Sequence, residues 1–312
     1  MTNQSCGRMI RMVLGIAVVL GLQVTTTGQR PYFDTPPPGS RPTPMRPYGQ
    51  SGGCSEEPAI FHRCAMEKAK QFNPPRTADG KPDFQGFWSR IVARNAENIQ
   101  EHPEGMDGSG GKSLIMDPPD GRIPYQPWAA AKVLEHFPNY QNPVQVCFPD
   151  TPPKQAYGAG AFRILQTPGN VLVLGDLAHT YRVIPTDGRP HLGPSLHLFM
   201  GDSRGRWEGN ALVVDVTNMK DLVWLDHVGN FYSENVHVVE RWTMFDKDVI
   251  HYQATITDPK VYTRPWTMAL GWKRTTEPDY EMFESACWEG VSQGGLERVE
   301  HGLKPYRGAF AK

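Results

Sequence analysis

The chain has 312 residues, 32 of them basic and 33 acidic, for a net charge of -1. That balance gives no reason to expect nucleic acid or a strongly charged partner, and the length suits one large domain or two small ones. Glycine (31) and proline (29) are frequent, which favours many turns and little helix without reaching the excess that marks disorder throughout.

Residues 1–28 read as an export signal. Arg8 and Arg11 supply a positive start, 13–24 is an apolar run, and Thr26 and Gly28 are small residues placed for cleavage. The run is short for a span, which needs about 20 residues, so no stable membrane crossing is expected and the mature protein is placed in the periplasm or outside the cell. Cys6 would leave with the signal, and Cys54, Cys64, Cys147 and Cys287 remain. An even number in an oxidising compartment favours two disulfides. The preferred pairing is Cys54–Cys64 locally and Cys147–Cys287 between an early loop and the last strand.

Residues 29–53 form a proline-rich extended linker, with Pro36, Pro37, Pro38, Pro42, Pro44 and Pro47. Residues 54–78 carry a short helix, with Ser55 as cap, Glu56 and Glu57 in the first turn and Pro74-Pro75 as its stop. The main domain is expected over 79–290. It opens with the turn Asp79-Gly80-Lys81-Pro82-Asp83 and a strand over Phe84–Arg90. A polar loop follows, then a helical insertion over 127–137, with Pro127 at its first position and Pro138 after it. Strands are predicted over 162–166, 170–175, 179–185, 211–217, 235–245, 249–257, 264–273 and 280–288. Their β-branched and aromatic runs are separated by Gly, Asn and Asp turns. Residues 189–204 read as a long loop, Gly201–Arg206 as a turn built around Asp202, and 291–312 as a tail.

Short strands at roughly ten-residue spacing, with no helices between them, predict an all-β antiparallel up-and-down barrel or a sandwich rather than a parallel α/β sheet. The Gly86-x-Trp88 opening strand resembles that of calycins, the lipocalin and avidin-like barrels, in which the tryptophan plugs the closed end. A calycin-like barrel is therefore the expected fold. Four segments, Asp79–Asp83 with Gly86-x-Trp88, Gly201–Gly209, Val238–Arg241 and Asp258–Thr267, together resemble a family of secreted, uncharacterised bacterial proteins. That resemblance implies export and one domain, and no particular reaction.

Alternation assigns faces. Val236, Val238, Glu240, Trp242 and Met244 share the more apolar face, so Glu240 is expected inside. Tyr280, Met282, Glu284 and Ala286 place Glu284 inward too, with Ile250, Tyr252, Ala254 and Ile256 lining the wall between. A carboxylate inside a barrel is unfavourable unless paired or protonated. Glu240 then either forms a buried ion pair with Arg264, Arg182 or Arg206, or acts as a general acid or base with Asp226, His227 or Asp202 nearby. Trp224, Tyr252, Tyr262, Trp266, Arg264 and Glu284 are the candidate ligand walls. Six histidines (His179, His191, His197, His227, His237, His251) show neither His-x-His nor His-x-x-x-His spacing, so no metal site is assigned. Gly201-Asp202-Ser203-Arg204-Gly205 matches a serine-hydrolase elbow on paper but precedes no helix. The leading expectation is an exported barrel that binds a small, partly apolar molecule in its cavity without a cofactor. The alternatives are a cofactor-independent lyase, hydratase, isomerase or hydrolase, and a structural or accessory protein of the cell envelope.

Overall fold

The computed structural model describes residues 47–91, 98–103, 110–158, 160–178, 180–282 and 302–310. The expected export signal, most of the expected linker, Glu284 and Cys287 lie outside these residues, as does most of the expected strand over 280–288. The described elements are the short hairpin β1 (Gln50–Ser51) and β2 (Cys54–Ser55), helix α1 (Pro58–Ala69), β3 (Gly86–Arg90), β4 (Ile115–Asp117), helix α2 (Pro127–Asn139) and eight further strands. These are β5 (Ala161–Thr167), β6 (Asn170–Gly175), β7 (Tyr181–Pro185), β8 (Asp202–Glu208), β9 (Ala211–Thr217), β10 (His237–Asp246), β11 (Val249–Thr257) and β12 (Trp266–Arg274). No described helix is long and apolar enough to cross a membrane.

The sheet runs β7-β6-β5-β3-β12-β11-β10-β9-β8, with every pairing antiparallel and β4 added beside β12. Chain order follows ring order, so this is an up-and-down barrel that opens between β7 and β8. The opening has a simple cause. An odd number of strands cannot alternate direction all the way round a ring, so one seam must be parallel. Arg182 bonds Ser203 and Ile184 abuts Gly205, a register that advances in the same direction on both strands. Parallel neighbours need a long crossover, which residues 186–201 supply. Gly205 fits this close approach: a Cβ there would lie 2.9 Å from methyl groups of both Ile184 and Thr186.

The turns at 168–169, 209–210 and 247–248 define a hairpin end, and the long loops gather at the opposite end. Inside, Ile250, Tyr252, Ala254 and Ile256 face Val238, Glu240, Trp242 and Met244 across the β10–β11 ladder, and all are buried. Trp88 is buried beside them: its indole donates to the Phe84 carbonyl at 2.8 Å, and the Arg274 guanidinium lies over the ring. On the outer wall, α1 packs Phe61 and Ala65 against Phe245 and Val249. Gly271 makes room for it, since a Cβ would meet the Phe61 ring at 2.3 Å. The expected Cys54–Cys64 disulfide joins β2 to α1. Cys147 is also disulfide-bonded, while its expected partner Cys287 lies outside the described residues.

Two local expectations differ from the structure. Residues 202–208 form a strand rather than a turn, because Ser203, Gly205 and Trp207 turn inward while Asp202, Arg204 and Arg206 face out. Helix α1 begins at Pro58 with no side-chain cap; the Ser55 hydroxyl instead accepts the Glu57 amide at 3.3 Å.

Candidate functional site

The inward carboxylate meets a cation. Arg182 of β7 donates Nη1 to Glu240 Oε1 at 3.1 Å and Nη2 to Oε2 at 2.7 Å, and its Nε donates to Ser203 Oγ at 2.9 Å. The Tyr252 hydroxyl donates to Oε1 at 2.8 Å. Burial and the adjacent carboxylate hold the Tyr252 phenol protonated, well above its ordinary range. Glu240 and Arg182 are almost fully buried, and a two-pronged pair with its remaining positions bonded is the form in which buried charge is tolerated. Of the three arginines named from the sequence, it is Arg182 that reaches Glu240. Arg264 sits outside, exposed, with both guanidinium prongs on Asp117 at 2.8 and 3.0 Å. Arg206 pairs with Glu208 on the outer surface.

The space beside this pair is small. The turn Lys154–Ala156 reaches the interior, where the Ala156 carbonyl accepts the Trp272 indole at 2.8 Å. Gln155, Phe162, Trp242, Tyr252 and Trp272 leave a cavity of about 10 Å³, room for roughly one water molecule. The other proposed wall residues fill the loop end. Trp224 stacks on His136, and the Tyr262 hydroxyl donates to the Phe231 carbonyl at 2.8 Å with Trp266 edge-on to its ring.

Asp226, Asp202 and Glu240 occupy separate places. Asp226 is buried in the 224–231 loop. Its carboxylate accepts the amides of Ile99, Val228 and Asn230, and the Asn230 side chain at 2.6 Å. Burial raises its pKa against those bonds. His227 is half-buried in the same loop. Asp202 faces out of β8, where it binds His191 Nδ1 at 2.7 Å and accepts the Leu192 amide at 2.9 Å. His191 Nε2 and His237 Nε2 both reach Asp215 Oδ1 at 2.9 Å, so His191 pins the 186–201 crossover to the outer wall while His237 joins β10 to β9. The Asp215 carboxylate raises the pKa of His237. Among the described residues, no group of three or more His, Cys, Asp or Glu side chains is placed to hold a metal.

A larger space lies at the hairpin end. A cleft of about 420 Å³ is walled by Thr77–Lys81 on one side, the β5–β6 turn around Asn170 on another, and Thr186 and Trp207 at the seam. Its walls are tied in place. Gln166 accepts the Phe84 amide at 2.7 Å and donates to the Pro82 carbonyl at 3.0 Å, which locks the loop to β5. Arg76 donates to the Gly80 carbonyl at 2.8 Å and to Asn210 Oδ1 at 2.7 Å, fixing it to the β8–β9 turn. Phe84 stacks on Trp207 with ring centres 5.7 Å apart and planes 18° from parallel, leaving an aromatic platform at the cleft.

No protein-family model matches the chain, and no curated protein matches it. The functional reading therefore rests on geometry. The cleft is not legible in the linear sequence, where a turn over Gly201–Arg206 gives Trp207 no inward face. The signal was present in 202–207, where charged residues fall at every second position and Ser, Gly and Trp fall between them.

Proposed function

We propose that the chain is an exported β-barrel protein that binds a small molecule in the hairpin-end cleft, on the Trp207 platform. The barrel interior serves as its scaffold. The single observation that carries this is the contrast in space. The cleft has the volume of a small-molecule site, typically 300–1,000 Å³, whereas the space beside the buried Glu240–Arg182 pair, among the described residues, has room for about one water. Glu240 then has a structural role, because both its oxygens are held by Arg182. Export is supported by the N-terminal apolar run and by the Cys54–Cys64 bond. Native mass spectrometry of protein expressed into the periplasm tests the reading. A co-purified small molecule lost in Trp207→Ala, with the variant still folded by circular dichroism, supports it. A molecule retained in Trp207→Ala and lost in Tyr252→Phe would place the site inside the barrel instead.

A further inference from the structure

The chemistry of the cleft narrows what it takes. Two segments singled out in the sequence, Asp79–Asp83 and Gly201–Gly209, supply opposing parts of its wall. Trp207 offers a flat apolar face, backed by the buried Phe84 ring. Around it stand Gln85 and Thr186, with Asn170, whose amide also reaches the Pro168 carbonyl, and Thr77, whose hydroxyl already donates to Asp79 and the Lys81 carbonyl and can still accept; together they include both donors and acceptors. Asp79 and Lys81 contribute one charge of each sign, so the wall selects neither an anion nor a cation. An aliphatic chain would leave these polar groups facing hydrocarbon, which is unfavourable. A purely aromatic ligand would use the platform and ignore the rim.

A molecule that fits has an apolar face to lie on the indole and, around its edge, groups that both donate and accept hydrogen bonds. Hydroxyls on a saturated ring have this form. Resting on the reading that this cleft is the binding site, we infer that its ligand is a neutral saccharide, with one sugar ring stacked on Trp207 and its hydroxyls on the Asn170, Thr186 and Thr77 side.

The test titrates the full chain with glucose, galactose, N-acetylglucosamine and their β-linked di- and trisaccharides. A parallel arm uses decanoate and indole. Tryptophan fluorescence and amide chemical shifts are followed in both. The expected result is saturable saccharide binding that shifts amides near Trp207 and Asn170. It should weaken at least tenfold in Trp207→Ala and in Asn170→Ala, and be largely kept in Trp207→Phe, with every variant shown to be fully folded under the titration conditions by circular dichroism. If decanoate or indole perturbs the cleft and no saccharide does, the saccharide assignment is overturned and the cleft remains a binding site. If saccharides bind with the same affinity to Trp207→Ala, or if no probe perturbs the cleft, the site itself is overturned with the inference.

Discussion

Arg182 Nη2 lies 2.7 Å from Glu240 Oε2, and the same guanidinium holds Ser203 across the only seam of the barrel without a backbone ladder among the described strands. One side chain thus ties β7 to β8 and to β10. Its register is fixed by charge at the place where an odd strand number removes hydrogen-bonded pairing. Breaking such a pair leaves a buried uncompensated charge, at a typical loss of about 3–5 kcal/mol. Glu240→Gln is expected to lower the unfolding free energy by about 3 kcal/mol in urea titration. Replacing Arg182 with Met and Glu240 with Leu together should lose less than the sum of the two single changes.

The seam makes its own prediction. A methyl group at position 205 would press on Ile184 and Thr186 from the neighbouring strand. Gly205→Ala should destabilise by about 1–3 kcal/mol, the range for overpacking. The same substitution at Gly209, where nothing lies within 4 Å but φ is +59°, should register only backbone strain of about 1 kcal/mol. Thermal or urea unfolding of both variants checks the comparison.

Acid should unfold the protein through its buried histidines. His251 packs under α1 with its Nε2 3.0 Å from His62 Nδ1, and burial lowers its pKa to about 3. His136, whose Nδ1 meets the Gly229 carbonyl at 2.8 Å, is lowered to about 4, again by burial. Both folded values lie below the unfolded value of about 6.5, so the unfolded chain binds protons first as pH falls. Their stabilisation is complete above about pH 6.5 and is lost as pH falls toward the folded values. His251 alone should account for about 2 kcal/mol by pH 5. Urea midpoints measured from pH 7 to pH 4.5 should fall, and a packed apolar replacement such as His251→Leu should flatten the slope.

The Cys54–Cys64 bond closes a loop with a sequence separation of 10 and anchors α1 to the β1–β2 hairpin. Replacing both cysteines with alanine is expected to lower stability by about 2–3 kcal/mol. Reduction with a thiol should give a comparable drop in melting temperature if Cys147 is replaced at the same time.

Most of the barrel was legible because two-residue alternation survives wherever one face is apolar. Strands β10 and β11 carry that pattern plainly, and it placed Glu240 and Tyr252 inside. Strand β7 shows why the rest was not. In Tyr181-Arg182-Val183-Ile184, arginine and isoleucine point in while tyrosine and valine stand exposed on the outer wall. Alternation alone could not say which face was buried, and so could not choose Arg182 over Arg264 or Arg206. Trp224, Tyr262 and Trp266 were read as cavity walls on their size, but the loop end closes over them. The cleft was hidden for a different reason. Its walls come from residues 77–85, 166–171, 186 and 207, which only the closed ring brings together.

The most direct measurement compares a bound small molecule's affinity and the urea midpoint in Trp207→Ala and Tyr252→Phe. With the ligand at the hairpin-end cleft, Trp207→Ala should weaken binding at least tenfold in protein that is still folded, its midpoint lowered only by the lost packing on Phe84. Tyr252→Phe should lower stability by about 1.5–3 kcal/mol, the value of a hydrogen bond to a charged group, and leave affinity unchanged. The reverse pattern, affinity lost with Tyr252→Phe and kept with Trp207→Ala, would contradict the assignment of the barrel interior as scaffold and the cleft as site.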